Sequence, residues 1–64
     1  RKREERLEKI DKLEKGDLFY IQNKKGGAEL FEFKEINEEN RIVGINPISK
    51  SKTTIDRDFF VDIV

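Results

Sequence analysis

The stretch LFYIQNKKGGAELFEFKEI, Leu18 to Ile36, decides how this chain folds. Two runs rich in aromatic and branched residues flank Asn23 to Gly27, where Gly26 and Gly27 can take positive φ at no steric cost. That pattern reads as a hairpin, with a first strand from Leu18 to Gln22 and a longer second strand from Ala28 to Ile36. Within the second strand Leu30, Phe31 and Phe33 interleave with Glu32 and Lys34, and the shift of phase near Leu30 predicts a bulge there.

Toward the C-terminus, Asn37 to Asn40 reads as a tight acidic turn, followed by Arg41 to Ile45 as an apolar and therefore central third strand. Pro47 and the polar stretch Ser49 to Ser51 form a loop, and Lys52 to Ile55 alternates as a fourth strand. Asp56 to Phe60 predicts one helical turn capped by Asp56, delivering Val61 to Val64 as the last strand. Toward the N-terminus, Arg1 to Lys15 holds no Gly, Pro or Asn, and its apolar residues Leu7, Ile10 and Leu13 recur every third position, the stripe of a helix. Glu5, Glu8 and Asp11 each stand four residues before a lysine, an orientation that supports the helix by about 0.3 kcal/mol per pair. Gly16 is expected to close it at the C′ position.

The expected fold is therefore mainly β with one N-terminal helix: a charged amphipathic helix over residues 1–15, then a five-stranded, strongly bent antiparallel barrel of the SH3-like or Sm-like kind over residues 16–64. Its core is expected from Phe19 or Tyr20, Ile21, Leu30, Phe33, Ile42, Val43, Ile45, Ile55, Phe59 or Phe60, and Ile63. The helical stripe packs on the barrel or, alternatively, on the same stripe of another copy.

Composition narrows function. The 64 residues contain no Cys, His, Met or Trp, which removes thiolate and imidazole ligands, Cys or His nucleophiles, and disulfides. No catalytic group, metal or other cofactor is expected, and a chain this short encloses no deep cleft. Fourteen basic residues balance fourteen acidic ones, so no overall field draws the chain to nucleic acid. The longest apolar runs are four residues, against about 20 needed to cross a bilayer.

The two ends resemble one family. The opening RKREERLEKIDKLEKGD is similar to the juxtamembrane helix and first strand entry of YajC, an accessory subunit of the bacterial Sec translocon, through Leu13, Lys15, Gly16 and Asp17. The tail KTTIDRDFFVDIV resembles that family's closing strand through Lys52, Ile55, Asp56, Arg57, Ile63 and Val64. Between them the family's Gly-Gly pair after the first strand is replaced by Gln22 and Asn23, with Gly26 and Gly27 later. The resemblance implies the cytoplasmic, soluble part of a single-pass inner-membrane protein, its membrane helix preceding Arg1. It also implies an adaptor that assists protein translocation by contacting translocon subunits. Arg1, Lys2, Arg3 and Arg6 then become membrane-proximal anchors beside anionic headgroups.

Two other readings stay open. Lys24, Lys25, Lys34, Arg41 and Arg57, with Lys50 and Lys52, could converge as a partner or nucleic-acid contact surface, Phe31 or Tyr20 serving as a stacking platform. Alternatively the chain is an oligomerising structural or phage accessory protein joined through an open barrel edge or its helix. Glu32, Glu35, Glu38 and Glu39 lack the spacing of a calcium loop, and Gly26-Gly27 has no following helix and is a turn, not a phosphate cradle. Asp56-Arg57-Asp58 is expected to cap the short turn and tie the last strand to the body.

Overall fold

The hairpin expected from residues 18–36 forms: β1 (Leu18–Gln22) pairs antiparallel with β2 (Ala28–Ile36). The computed structural model describes residues 8–64. β3 (Ile42–Ile45) and β4 (Lys52–Ile55) continue the meander, the 3-10 turn Arg57–Phe59 follows, and β5 (Phe60–Ile63) returns beside β1. The single sheet has the order β4-β3-β2-β1-β5 with every neighbour antiparallel, so β2 is its middle strand and β3 lies between β2 and β4. β4 and β5 are its two edges, and the ladder does not close.

One device shapes the turns. Asn23 accepts the N–H groups of Lys25 and Gly27 on its side-chain oxygen, and Asn37 accepts those of Glu39 and Arg41. In each turn the fourth residue has positive φ, 86° at Gly26 and 64° at Asn40. The asparagine oxygen thus satisfies two donors that the ladder cannot reach. Asn46 does the same for Ile48 and Ser49 in the longer β3–β4 loop, where Lys50 takes φ 64°.

β2 serves its two neighbours with different halves. Ala28 to Glu32 pair with β1 and Glu32 to Ile36 with β3, the two sets overlapping at Glu32. The register slips at Lys34, between Phe33 and Glu35, so the bulge lies four residues beyond the expected position near Leu30. A second slip falls at Val61, where β5 passes Tyr20 and Ile21. Such bulges bend a strand. The bend is large: a Cβ placed on Gly44 of β3 would lie 3.3 Å from Phe19 Cζ of β1 and 3.2 Å from Ile55 Cδ1 of β4. Strands β1 and β4 stand three apart in the order, about 14 Å in a flat sheet at the usual interstrand spacing. Their side chains meet over Gly44 only because the sheet curls, and Gly44 is the position that lets them.

The curl encloses Ile10, Leu13, Phe19, Ile21, Phe31, Phe33, Ile42, Ile55 and Phe60, with Ile36 and Ile63 against them. Phe19 is the hub, fully buried, with ring centroids 6.0 Å from Phe60 and 6.4 Å from Phe31 and Phe33. Several expected core positions are corrected. Phe31 is buried and its neighbour Leu30 half-buried, because the register places Phe31 opposite Phe19 and Leu30 opposite Tyr20 on the outer face. Ile45 is only half-buried; of the two alternatives left open, Phe19 and Phe60 are the buried members while Tyr20 and Phe59 are exposed, and Val43 is buried as expected, beside the main cluster.

Residues 8–11 are helical, but the helix ends earlier than expected. Lys12 and Leu13 donate to carbonyls three residues back, and a separate turn closes from the Asp17 N–H to the Glu14 carbonyl. Gly16, at φ 98°, is the third residue of that turn and not a helix C′ residue. Among the described residues no Glu8–Lys12 or Asp11–Lys15 pair forms. Lys9 reaches Asp62 at 2.9 Å and Asp11 faces Arg57 at 3.8 Å, so charges expected to brace the helix tie it to the last strand and turn. Ile10 and Leu13 enter the core of the sheet itself. Glu5 and Leu7 lie outside the described residues.

Candidate docking face and open seam

The basic side chains do not gather. Lys24 and Lys25 are exposed at the β1–β2 tip, while Arg41 and Arg57 belong to the opposite end of β2, at and beside the β2–β3 turn. Arg57 is half-buried and engaged: Nε donates to the Asn40 carbonyl at 2.9 Å and a terminal nitrogen to Asn40 Oδ1 at 2.8 Å. This pair of bonds anchors the 3-10 turn to the β2–β3 turn, in keeping with a structural role for the Asp56-Arg57-Asp58 triplet. Asp56 caps that turn by accepting the Asp58 N–H. Lys34 occupies the bulge, half-buried, and Lys50 and Lys52 are exposed at the β3–β4 end. Phe31, offered above as a stacking platform, is buried and presents no face; Tyr20 is exposed. Arg1, Lys2, Arg3 and Arg6 lie outside the described residues.

The acidic side chains at the β2–β3 turn rim an open hollow formed by Glu35, Ile36, Asn37, Glu38 and Glu39. No group of three or more His, Cys, Asp or Glu among the described residues is placed to hold a metal ion. Among the same residues no helix is long and apolar enough to cross a membrane.

Two features do stand out. The first is the outer face of β5, β1 and β2. Strand alternation sends Phe19 and Ile21 inward and so turns Leu18 and Tyr20 outward. Tyr20 lies opposite Leu30, and Leu18 lies beside Val64, whose N–H donates to the Leu18 carbonyl. Val61 joins them at the hairpin end, next to Gln22 and Ala28. Leu18, Tyr20, Val61 and Val64 are all exposed, Val64 by 67%. A half-solvated antiparallel sheet usually turns polar residues outward; this face mixes the exposed apolar side chains with two carboxylates, Glu32 opposite Leu18 and Asp62 opposite Tyr20.

The second feature is the seam between β4 and the β1–β2 hairpin, where the sheet stays open. A cavity of about 250 Å³ lies there, floored by Ile21, Phe31, Ile55 and Phe59 and rimmed by Lys24, Glu29, Thr53 and Asp56 among others. Phe59 is 48% exposed although its neighbour Phe60 is fully buried.

Comparison with protein families, curated proteins and solved structures finds no match.

One carboxylate is electrostatically tuned. The Lys9 ammonium hydrogen-bonds to Asp62 and the Ile63 N–H donates to the same oxygen, so the Asp62 carboxyl is held below its ordinary value. The group is exposed, which keeps the effect small. Its place is structural, joining the helical segment to β5.

Sequence reading missed both features. The outer face was written in the alternation of Leu18 and Tyr20 against Phe19 and Ile21, once Phe31 rather than Leu30 is placed inward. The Phe59-Phe60 pair held the other signal, since the 3-10 turn ends at Phe59 and the core takes only Phe60 of the two.

Proposed function

We propose that this chain is a non-catalytic protein-docking module that engages its partner through the outer face of β5, β1 and β2. The observation that carries this reading is the group of exposed apolar side chains, Leu18, Tyr20, Val61 and Val64, on a chain whose residues are 44% charged. Apolar side chains grouped on a small soluble surface favour protein contact, and aromatic anchors such as Tyr20 are enriched at interface centres. The meander order, with the last strand returned beside the first after a 3-10 turn, supports an SH3-like small barrel left open at one seam. The resemblance to YajC at both ends supports an adaptor at the protein-translocation channel, anchored beside the inner membrane.

The test is site-specific photocrosslinking in bacterial cells, with the photoreactive residue at Tyr20 and a control at Glu38. Crosslinks from Tyr20 to a membrane-embedded translocation subunit, with a silent control, are the expected result. Crosslinks to a soluble protein alone would keep the docking face and remove the translocon. No crosslink at Tyr20, or equal yields at both positions, would remove the docking reading itself.

A further inference from the structure

β4 has an edge that none of the described strands covers. Each neighbour in the order β4-β3-β2-β1-β5 is antiparallel, so β4 and β5 point the same way. Joining them would make a parallel pair, which needs a crossover of about a dozen residues or more. The connection available is Asp56 and the 3-10 turn Arg57–Phe59. The edge also lacks the usual protections: Lys52-Thr53-Thr54-Ile55 holds no Pro and no bulge, and its single charge is Lys52.

The hydrogen-bond phase of β4 follows from its ends. The Asn46 N–H donates to the Ser51 carbonyl, which makes these two a hydrogen-bonded pair. Antiparallel pairs alternate, so Thr53 and Ile55 direct their backbone groups to β3, while Lys52 and Thr54 direct theirs to the open edge. Phe33 agrees with this phase, since its N–H and carbonyl are taken by Asp17 and Gly16, leaving Gly44 to bond Thr53. Asp56, still extended at φ −65° and ψ 139°, is next in the outward set, though its carbonyl accepts the Phe59 N–H at 3.1 Å and only its N–H and side chain are left to the edge.

An antiparallel strand added at this edge must place its own outward residues opposite these. For a second copy, a two-fold axis at Thr54 sets Thr54 opposite the partner's Thr54, Thr53 opposite the partner's Ile55 and, on both sides, Lys52 opposite the partner's Asp56. Opposite charges facing across a strand pair stabilise it. A two-fold axis at Thr53 sets Lys52 opposite the partner's Thr54 and gains no charge pair. We infer that this chain forms a two-fold dimer by pairing β4 with β4 of a second copy, in the register centred on Thr54. The added strand runs alongside the seam cavity and shields Phe59. A net charge of zero imposes no repulsion between copies.

Sedimentation equilibrium of the chain from about 10 µM to about 1 mM spans the affinities expected of so short an interface. Wild type is expected to show a monomer–dimer equilibrium that weakens with added salt. Thr54→Pro removes an outward N–H without touching the β3 ladder and is expected to weaken the dimer by about tenfold or more, with the circular dichroism of the monomer kept. Lys52→Glu, a surface change that leaves folding intact, sets like charges against the partner's Asp56; its dimer is expected to weaken and to recover with salt, the reverse of wild type. A monomer at every concentration overturns the inference. So does a dimer that Lys52→Glu leaves unchanged, and one lost instead on Tyr20→Ser would place self-association on the outer face.

Discussion

Gly44 is where the molecule tolerates least. A methyl group there meets Ile55 Cδ1 at 3.2 Å and Phe19 Cζ at 3.3 Å, both ends of side chains that can shift, but also Phe31 Cβ at 3.3 Å, which is fixed by its backbone. Gly44→Ala is therefore expected to destabilise by about 1–3 kcal/mol, the usual cost of overpacking, read as a lower urea midpoint with unchanged m value. Asp62 is the contrasting case, exposed and electrostatic. Its carboxyl is held below its ordinary value by Lys9 and the Ile63 N–H, so its contribution is present above the unfolded value and lost as pH falls through the folded one. Thermal melts below about pH 4 are expected to fall less steeply in Asp62→Asn than in wild type. Equal acid limbs would show that the Lys9 contact contributes nothing.

The asparagine turns fix where the strands end. Lys50 and Asn40 share φ 64°, a conformation that glycine takes freely and other residues take at a cost of roughly 1 kcal/mol. Lys50→Gly is expected to raise stability by about 0.5 kcal/mol, the relief partly offset by backbone entropy. Asn40→Gly is expected to lower it, because Arg57 loses the side-chain acceptor at 2.8 Å; opposite signs in denaturant melts are the check. These turns were the readable part of the sequence, since Asn, Gly and Pro mark where strands stop. All five strands and the capped 3-10 turn follow from that punctuation and from aromatic and branched runs. What stayed illegible was phase: Leu30 and Phe31 are both apolar, and only the pairing of Phe31 with Phe19 decides which one faces inward. The helix end was misplaced for a similar reason. Gly16 looks like a helix stop, yet the chain leaves the helix earlier to bring Asp17 into register beside Phe33.

Across the whole molecule, the helical segment belongs to the same core as the sheet. Ile10 is almost fully buried, and Ile10→Ala is expected to cost about 2–4 kcal/mol, enough to leave so small a domain largely unfolded at 25 °C by circular dichroism. A loss no larger than that of an exposed helix substitution would mean the segment merely rests on the surface. The two surface features were hidden from the sequence for one reason: a face and a seam exist only once distant strands have been placed. Lys24 and Lys25 could be assigned to a tip, but their separation from Arg41 and Arg57 follows from the direction of β2.

The return of β5 to β1 also sets an order in time. The pairs β1–β2, β2–β3 and β3–β4 are local hairpins, each closed by its own asparagine turn, whereas β1 and β5 lie some forty residues apart along the chain. Local contacts form at a low entropic cost and distant ones at a high cost. The meander is then the nucleus, and the stacking of Phe60 on Phe19 comes after the barrier. Stopped-flow measurements should find that Phe33→Leu mainly slows folding, while Phe60→Leu mainly speeds unfolding. Loss of the last strand would thus govern how long each folded molecule survives, and the meander how quickly it is replaced.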